Sequence, residues 1–114
     1  MKKKLNIVIL GSSGKMGTEV LGCLKGNNAA QVFATVARPG GLKEIKISAK
    51  ERPAVLVDFS SPKGFVEGLR FSCKNKIGFV SGTTGLTTSH MRLLRSASGH
   101  IPVFWAPLNF RLAG

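Results

Sequence analysis

A short apolar run that leads directly into regularly spaced glycines restricts the fold of this chain more than any other feature. Leu5–Leu10 is nearly all apolar and rich in β-branched residues, which is typical of a strand buried on both faces of a sheet. Glycines follow at Gly11, Gly14 and Gly17. Apolar residues then recur at a helical spacing, at Met16, Val20, Cys23 and Leu24. The sequence therefore predicts a strand, a sharp turn and a helix in immediate succession.

Each of these glycines meets a separate steric demand of a phosphate-binding turn. Gly11 suits the sharp turn, Gly14 lets a pyrophosphate approach the backbone, and Gly17 lets the helix pack close to the sheet. Backbone N–H groups and the positive end of the helix dipole then face the phosphates, and Lys15 adds a charge. A purely structural turn is the alternative, but the strand before and the helix after the glycines favour dinucleotide binding.

Strand-like and helix-like segments alternate along the rest of the chain. Further strands are predicted at Gln31–Val36, Val55–Phe59, Ile77–Ser81 and Val103–Ala106. One helix begins at a serine cap and a first-turn proline, Ser60-Ser61-Pro62, and another spans Thr87–Ser98. Residues 38–53 are predicted to form a loop with at most a short irregular element. This alternation predicts an α/β fold, a Rossmann-like doubly wound parallel sheet with right-handed crossovers.

Three further loops are predicted to lie at the same edge of the sheet as the glycine turn. Ligands of open parallel sheets bind beyond the carboxyl ends of the strands. The segments that follow strands three, four and five are Asp58–Pro62, Gly82–Gly85 and Ala106–Phe110. Taken singly, the first reads as a helix cap and the second as a turn. Their joint placement favours a binding site that reaches a nicotinamide riboside.

The end of the second strand bears on the choice of nucleotide. An acidic residue there favours NAD by accepting hydrogen bonds from the ribose hydroxyls, whereas an arginine accommodates the additional phosphate of NADP. Here Val36 is followed by Ala37 and Arg38. The sequence therefore predicts a preference for NADPH, with an exposed cation of no specific role as the alternative for Arg38.

The charge of the chain is strongly positive, with 17 Lys and Arg against 5 Asp and Glu in 114 residues, a net charge of +12. Such a balance attracts polyanions. The basic residues are scattered, however, and are not interleaved with aromatic residues as a base-stacking surface requires. We therefore do not expect nucleic acid to be the main partner.

Cysteine, histidine and the start of the chain suggest no further chemistry. Cys23 and Cys73 have no metal-ligand spacing and are predicted to be buried free thiols. His90 and His100 have no ligand partners at a suitable spacing, so neither a metal nor a catalytic role is expected. The lysine-rich start leads into glycines without a cleavage site, and no apolar run approaches the ~20 residues of a membrane span. A cytoplasmic protein is expected.

In the order in which they occur, these segments resemble the amino-terminal domain of the dihydrodipicolinate reductase (4-hydroxy-tetrahydrodipicolinate reductase) family. Gly11–Gly17 is similar to the family pattern G-x-x-G-R-M-G, and Val57–Pro62 and Gly82–Gly85 are similar to its next two loops. The likeness continues from Ile101 to Phe110 and so covers nearly the whole chain. Each piece alone is weak, whereas their ordered combination is specific.

The resemblance implies a set of cofactor-binding residues. Gly11, Ser12, Ser13, Gly14, Lys15 and Met16 would hold the pyrophosphate, with Gly17 completing the turn. Arg38 would hold the 2′-phosphate, and Gly82, Thr83 and Thr84 the nicotinamide end. The same site would be lined by Ala106, Pro107, Asn109 and Phe110. The family transfers hydride from NADPH or NADH to a cyclic imine dicarboxylate in lysine and diaminopimelate biosynthesis, and usually forms a homotetramer.

Departures from the family pattern limit what the resemblance implies. Ala37 stands where the family has an acidic ribose contact, Lys15 replaces an arginine, and Leu108 is an extra residue. Residues 1–114 are expected to form one incomplete Rossmann domain without the substrate-binding domain, which carries the family's paired histidines and lysine. We therefore expect that this chain binds the cofactor but does not catalyse the reaction on its own. We also expect it to be monomeric or prone to aggregation.

Three other interpretations stay open on the sequence. One is the cofactor domain of another dehydrogenase family, such as the aspartate or homoserine dehydrogenases, which Asp58–Pro62 and Gly82–Gly85 disfavour. Another is a basic module that binds nucleic acid or another polyanion. The last is an inert, partly unfolded remnant.

Overall fold

The computed structural model describes residues 4–11, 14–38 and 40–106. Its strands are β1 (Leu5–Leu10), β2 (Ala30–Val36), β3 (Val55–Asp58), β4 (Gly78–Ser81) and β5 (Val103–Trp105). Its α-helices are α1 (Lys15–Leu24), α2 (Pro62–Asn75) and α3 (Thr88–Ala97), and a 3-10 helix spans Gly41–Glu44. The bounds of the five strands and of α3 agree with the sequence predictions to within one residue. The short irregular element predicted within residues 38–53 is this 3-10 helix.

All five strands are parallel and lie in the order β2-β1-β3-β4-β5. The chain runs from β1 to β2 in one direction across the sheet and from β3 through β5 in the other. With right-handed crossovers, α1 and α2 therefore lie on opposite faces, which makes the sheet doubly wound as predicted. The residues that end the strands share one row of the sheet, namely Val36, Leu10, Asp58, Ser81 and Trp105 in spatial order.

The main core lies between the sheet and the helices α2 and α3. Its largest fully buried side chains include Phe65 of α2 and Phe79 of β4, whose rings meet edge to face at a centroid distance of 5.4 Å. Helix α2 begins as predicted, because the Ser61 side chain accepts a hydrogen bond from the Gly64 N–H at 3.1 Å and Pro62 occupies the first turn. Because Gly68 has no side chain, α2 can approach the sheet closely. A Cβ at this position would lie 3.1–3.2 Å from three core side chains.

The helix face predicted to point inward in α1 is wrong, because the buried position is Gly17 and not its neighbour Met16. Gly17 is the buried residue of this helix, so the inward-facing set becomes Gly17, Val20, Leu21 and Leu24. Met16 and Cys23 consequently turn outward, and Met16 is 37% exposed. The prediction of two buried thiols is therefore wrong for Cys23, which is exposed, and Cys73 is only half-buried. A glycine does not score as apolar, yet its small size brings the helix against the sheet on that side.

Apolar side chains remain exposed on the sheet face opposite α2 and α3. Phe104 pairs with Val80, whose neighbour Phe79 points into the core, so Phe104 faces the other way and is 62% exposed. Leu5 is 55% exposed. A cavity of about 320 Å³ with mostly apolar walls lies between Leu5 and Phe104. None of the described helices is both long and apolar enough to cross a membrane.

Gly11 joins the turn after β1 to the loop after β3, and its replacement tests this contact. Gly11 has a φ of +90°, and a Cβ there would lie 2.6 Å from the carbonyl oxygen of Phe59. We expect Gly11→Ala to lower the free energy of unfolding by more than ~3 kcal/mol, since left-handed strain and a forced backbone shift add together. Chemical denaturation followed by circular dichroism measures this change.

Gly26→Ala is the matched control. Gly26 also has a left-handed φ, +74°, but a Cβ there would meet no atom of residues 4–11, 14–38 or 40–106 within 4 Å. Only the conformational strain of ~1–2 kcal/mol is expected at this position. Equal losses for the two variants would show that close contact with Phe59 contributes nothing.

Candidate functional site

A cleft of about 330 Å³ opens at the carboxyl edge of the sheet. Its walls come from the segments that follow β1, β3 and β4, and they consist of Lys15, Met16, Phe59, Ser60, Gly82, Thr83 and Thr84. The strands β1 and β3 are neighbours from which the chain departs in opposite directions. Ligands of doubly wound sheets bind at such a switch point. The structure thus brings Lys15 and Met16 together with the predicted Gly82–Thr84 loop.

The start of α1 has the local features of an anion-binding helix terminus. Gly14 stands at the N-cap with an extended backbone, φ −77° and ψ 170°, and among the described residues no side chain caps the helix. The first turn contains no acidic residue and begins with Lys15. Helix N-termini normally attract acceptors and negative charge, so a cation there is unfavourable unless an anion lies near it.

A fully buried carboxylate lies behind the cleft. Asp58, the last residue of β3, has no solvent-exposed surface. Its Oδ1 accepts hydrogen bonds from the N–H of Ser60 at 3.0 Å and from the Ser60 hydroxyl. Its Oδ2 accepts from the hydroxyls of Ser81 at 2.8 Å and of Thr83 at 2.7 Å. Four donor groups, from the loop after β3, the end of β4 and the loop after β4, therefore converge on one side chain.

Thr83 extends this network to β5. Its N–H donates to the Ser81 hydroxyl oxygen at 3.1 Å, and its carbonyl oxygen accepts from the indole N–H of Trp105 at 3.0 Å. Backbone bonds run alongside, from Gly82 N–H to Asp58 O at 2.9 Å and from Ala106 N–H to Ser81 O at 3.0 Å. The ends of β3, β4 and β5 are thereby tied to one another.

Other predicted site residues lie at the same edge but not in the cleft walls. Arg38 is exposed two residues beyond β2, and its carbonyl oxygen accepts from Gly41 N–H at 3.1 Å. Ala106 is half-buried beside the end of β4. The remaining predicted residues, Ser12, Ser13, Pro107, Asn109 and Phe110, lie outside the described residues.

The two histidines lie outside the cleft walls. The Nδ1 of His90 accepts a hydrogen bond from Thr87 N–H at 2.9 Å, which completes a capping box at the start of α3. The His90 ring also packs edge-on against Phe65 at a centroid distance of 5.9 Å. His100 is exposed after α3. In the described part of the chain, no group of three His, Cys, Asp or Glu residues could hold a metal ion.

The segment Asp58–Pro62 was expected at this edge from the sequence, but none of its residues was assigned a role of its own, and Ser81 and Trp105 were not expected in the site. Phe59 and Ser60 line the cleft, and Asp58, Ser81 and Trp105 hold its loops. One signal was present, since Asp58 interrupts an otherwise apolar strand and is the sole aspartate of the sequence. A charged residue in such a run is buried only when paired or hydrogen-bonded, and such pairing is often functional.

A doubly wound parallel sheet with a glycine turn and a cleft at its switch point defines the class of α/β nucleotide-binding domains. Within this class, residues 5–110 match the family model described as dihydrodipicolinate reductase, N-terminus. The chain belongs to this family and corresponds to its amino-terminal, nucleotide-binding domain.

Relatives named 4-hydroxy-tetrahydrodipicolinate reductase support this membership. The Campylobacter jejuni protein is 36% identical over 102 residues, which cover 90% of this chain and 40% of the relative. The Bdellovibrio bacteriovorus protein is 32% identical over 104 residues, covering 91% and 44% of the two chains. The Stenotrophomonas maltophilia protein is 33% identical over 119 residues, covering 95% and 49%. This chain therefore spans less than half the length of these relatives.

Two solved structures share the fold. A dipicolinate-bound dihydrodipicolinate reductase from Paenisporosarcina sp. TG-14 superposes with a TM-score of 0.67 at 19% identity, over 92% of this chain and 48% of that one. A response regulator CheY-like protein from Mesorhizobium loti superposes with a TM-score of 0.62 at 16% identity, over 96% and 90% of the two chains. Similarity at this level of identity concerns the fold alone.

Proposed function

We propose that this chain binds a nicotinamide dinucleotide, NADPH in preference to NADH, as the cofactor-binding part of a dihydrodipicolinate reductase. The observation that carries the proposal is the juxtaposition, in one cleft, of the Gly82–Thr84 loop and the start of α1, which no described side chain caps. An extended dinucleotide needs an anion site at its centre and a neutral polar surface at its nicotinamide end. The cleft offers both.

The glycine turn would hold the pyrophosphate. Gly14 has ordinary extended dihedral angles, so its lack of a side chain is not required by backbone strain. Among the described residues, a Cβ at this position would meet only the carbonyl oxygen of Gly11, at 3.4 Å. The absence of a side chain there instead leaves the N–H groups at the start of α1 open to a phosphate, to which Lys15 and Met16 would be neighbours. By the family resemblance Ser12 and Ser13, which lie outside the described residues, would also contact the pyrophosphate.

The nicotinamide end would lie against the loop after β4. Gly82 and Thr83 are buried, Thr84 is exposed, and all three residues line the cleft. Ala106, Pro107, Asn109 and Phe110 follow β5, the next strand, and would close the same side. The reduced nicotinamide supplies the hydride, while the protein supplies position and a surface that limits access of water.

The full reaction would require a second set of residues. We propose that hydride passes to a cyclic imine dicarboxylate that is bound by a further domain, because the chain corresponds to 40–49% of the length of its reductase relatives. Neither His90 nor His100 lines the cleft, and His90 serves as a helix cap. These histidines are therefore poor candidates for a proton donor to the substrate.

Replacement of Gly14 by valine tests the phosphate site. The side chain would cover the N–H groups of the turn, and we expect the Kd for NADPH to rise by at least about tenfold, the equivalent of ~1.4 kcal/mol. Titration of NADPH fluorescence measures it. Gly22→Val in the same helix is the control, since a Cβ at Gly22 meets nothing within 4 Å.

An unchanged Kd in Gly14→Val would contradict the phosphate site and leave the turn a structural feature. A salt titration of nucleic-acid binding then tests whether the chain is a basic polyanion-binding module instead. Sub-micromolar binding at physiological salt, with a steep log–log salt dependence, would instead identify a polyanion-binding module.

Arg38→Ala tests the preference for NADPH. A charge-assisted hydrogen bond contributes ~1.5–3 kcal/mol, so the ratio of the NADH and NADPH dissociation constants should fall by roughly 10- to 150-fold. Calorimetric titration of both nucleotides measures the ratio. Arg92→Ala removes an equally exposed charge from α3 and should leave the ratio unchanged. Equal affinities for the two nucleotides in the unaltered chain would refute the preference.

The 114-residue chain alone is expected to bind NADPH without reducing the imine. The assay couples chemical or enzymatic formation of the dicarboxylate substrate to loss of NADPH absorbance. A full-length relative serves as the positive control. Turnover by this chain alone would show that the substrate site lies within these residues.

A further inference from the structure

The buried Asp58 carboxylate stands apart from the residues that line the cleft, and its bonding pattern suggests a specific task. We propose that Asp58 is a positioning residue, which acts through Ser81 and Thr83 to fix the loop that receives the nicotinamide end of the cofactor. The inference rests on the proposed function, because it concerns the same cleft.

Asp58 has no route to the ligand itself. Its side chain has no exposed surface and is not among the residues of the cleft wall. Burial of a carboxylate strongly favours conformations in which several donors point at it. Any effect of Asp58 on a ligand must therefore pass through the donors that surround it.

Thr83 is the residue through which the effect would pass. Its hydroxyl donates to Asp58 Oδ2, its N–H donates to Ser81 Oγ, and its carbonyl oxygen accepts from the Trp105 indole. Every polar group of Thr83 is thus committed to the protein. The orientation of its two peptide planes is fixed, and with it the backbone of Gly82 and Thr84 that faces the cleft.

Ser81 has a double role in this arrangement. Its hydroxyl donates to Asp58 and at the same time accepts from Thr83 N–H. The position of the Asp58 carboxylate therefore fixes the Ser81 hydroxyl, which in turn holds the backbone N–H of Thr83. Ser81 is 1% exposed and is absent from the cleft wall. Its removal would disturb the loop without removing a ligand contact.

Two substitutions test the inference in the 114-residue chain. Ser81→Ala removes the link between the carboxylate and the loop, and Asp58→Asn replaces an acceptor by a donor. In the asparagine variant the amide nitrogen is expected to face the hydroxyls of Ser81 and Thr83, because these can rotate to accept whereas the Ser60 N–H cannot. Ser72→Ala is the matched control, a serine with no exposure whose hydroxyl bonds only to Gly68 O within α2.

The experiment compares the dissociation constants of two probes. NADPH carries the nicotinamide ring, and 2′-phospho-ADP-ribose lacks it. Ser81→Ala and Asp58→Asn should each raise the Kd for NADPH by about tenfold, the effect of roughly one lost hydrogen bond to a charged group. The Kd for 2′-phospho-ADP-ribose should stay unchanged in both. Ser72→Ala should leave both constants unchanged, although it loses a hydroxyl that is equally buried.

Trp105 provides a spectroscopic readout that stability alone does not alter. It is the single tryptophan of the sequence, and it bonds directly to the loop. Energy transfer from Trp105 to reduced nicotinamide at saturating NADPH should fall in Ser81→Ala and stay constant in Ser72→Ala, because the ring is held less closely to β5 in the first variant only.

Three results would overturn the inference. Equal weakening of both probes, with a lower melting temperature, would give Asp58 a general structural role. Unchanged NADPH affinity in Ser81→Ala would show that the loop does not depend on the network, and this variant decides the matter if Asp58→Asn does not fold. Binding of neither probe by the unaltered chain would contradict the proposed function itself, and the inference would fall with it.

Discussion

Burial of the Asp58 carboxylate at the end of β3 removes it from water, and this loss of hydration must be compensated by donors within the protein. Two of the four donor groups belong to Ser60 in the loop after β3, and the other two are the hydroxyls of Ser81 at the end of β4 and of Thr83 in the loop that follows, more than twenty residues further along the chain. Neither loop can change its conformation without exposing or orphaning the carboxylate. The shape of the cleft is therefore coupled to the stability of the fold through these hydrogen bonds.

The fold alone does not determine what this cleft binds. The strand order β2-β1-β3-β4-β5 superposes comparably on a reductase and on a CheY-like protein. The change of direction between β1 and β3 creates a cleft at this edge in any sheet of this kind. The residues around it make the difference. An uncapped helix start that begins with Lys15 suits an anionic ligand, and family membership then rests on the ordered motifs and not on the topology.

The strands and helices were predictable because each is encoded locally. The apolar run of β1 and the serine and proline before α2 lie next to the structures that they specify, and the bounds of the strands were correct to within one residue. The orientation of α1 was not predictable from apolar spacing. Gly17 is the buried residue of α1, and on a helix with Gly17 inward Met16 and Cys23 face outward. A pattern that scores only hydrophobicity misses an inward-facing glycine.

The site was predictable only in part, for a different physical reason. Residues that follow strands could be assigned to one edge from the rule for parallel sheets, and this rule located the Gly82–Thr84 loop. The bonds of Asp58 to Ser81 and Thr83, and of Trp105 to Thr83, join residues 22–25 positions apart. Those bonds depend on strand register, which a single sequence does not specify. Only the unusual position of an aspartate in an apolar strand pointed to them.

The position of a lysine, Lys15, at the start of α1 bears on the kind of anion that the cleft would bind. The chain carries a net charge of +12, which by itself favours any polyanion. At the start of α1, however, a cation lies beside a helix terminus that is already partly positive, and such a placement opposes folding of the free chain. A bound pyrophosphate would relieve this repulsion at one defined point, whereas a diffuse polyanion would gain from basic residues wherever they lie. The position of Lys15 at the start of α1 therefore supports the proposed diphosphate ligand over a diffuse polyanion, and this support is independent of the family resemblance.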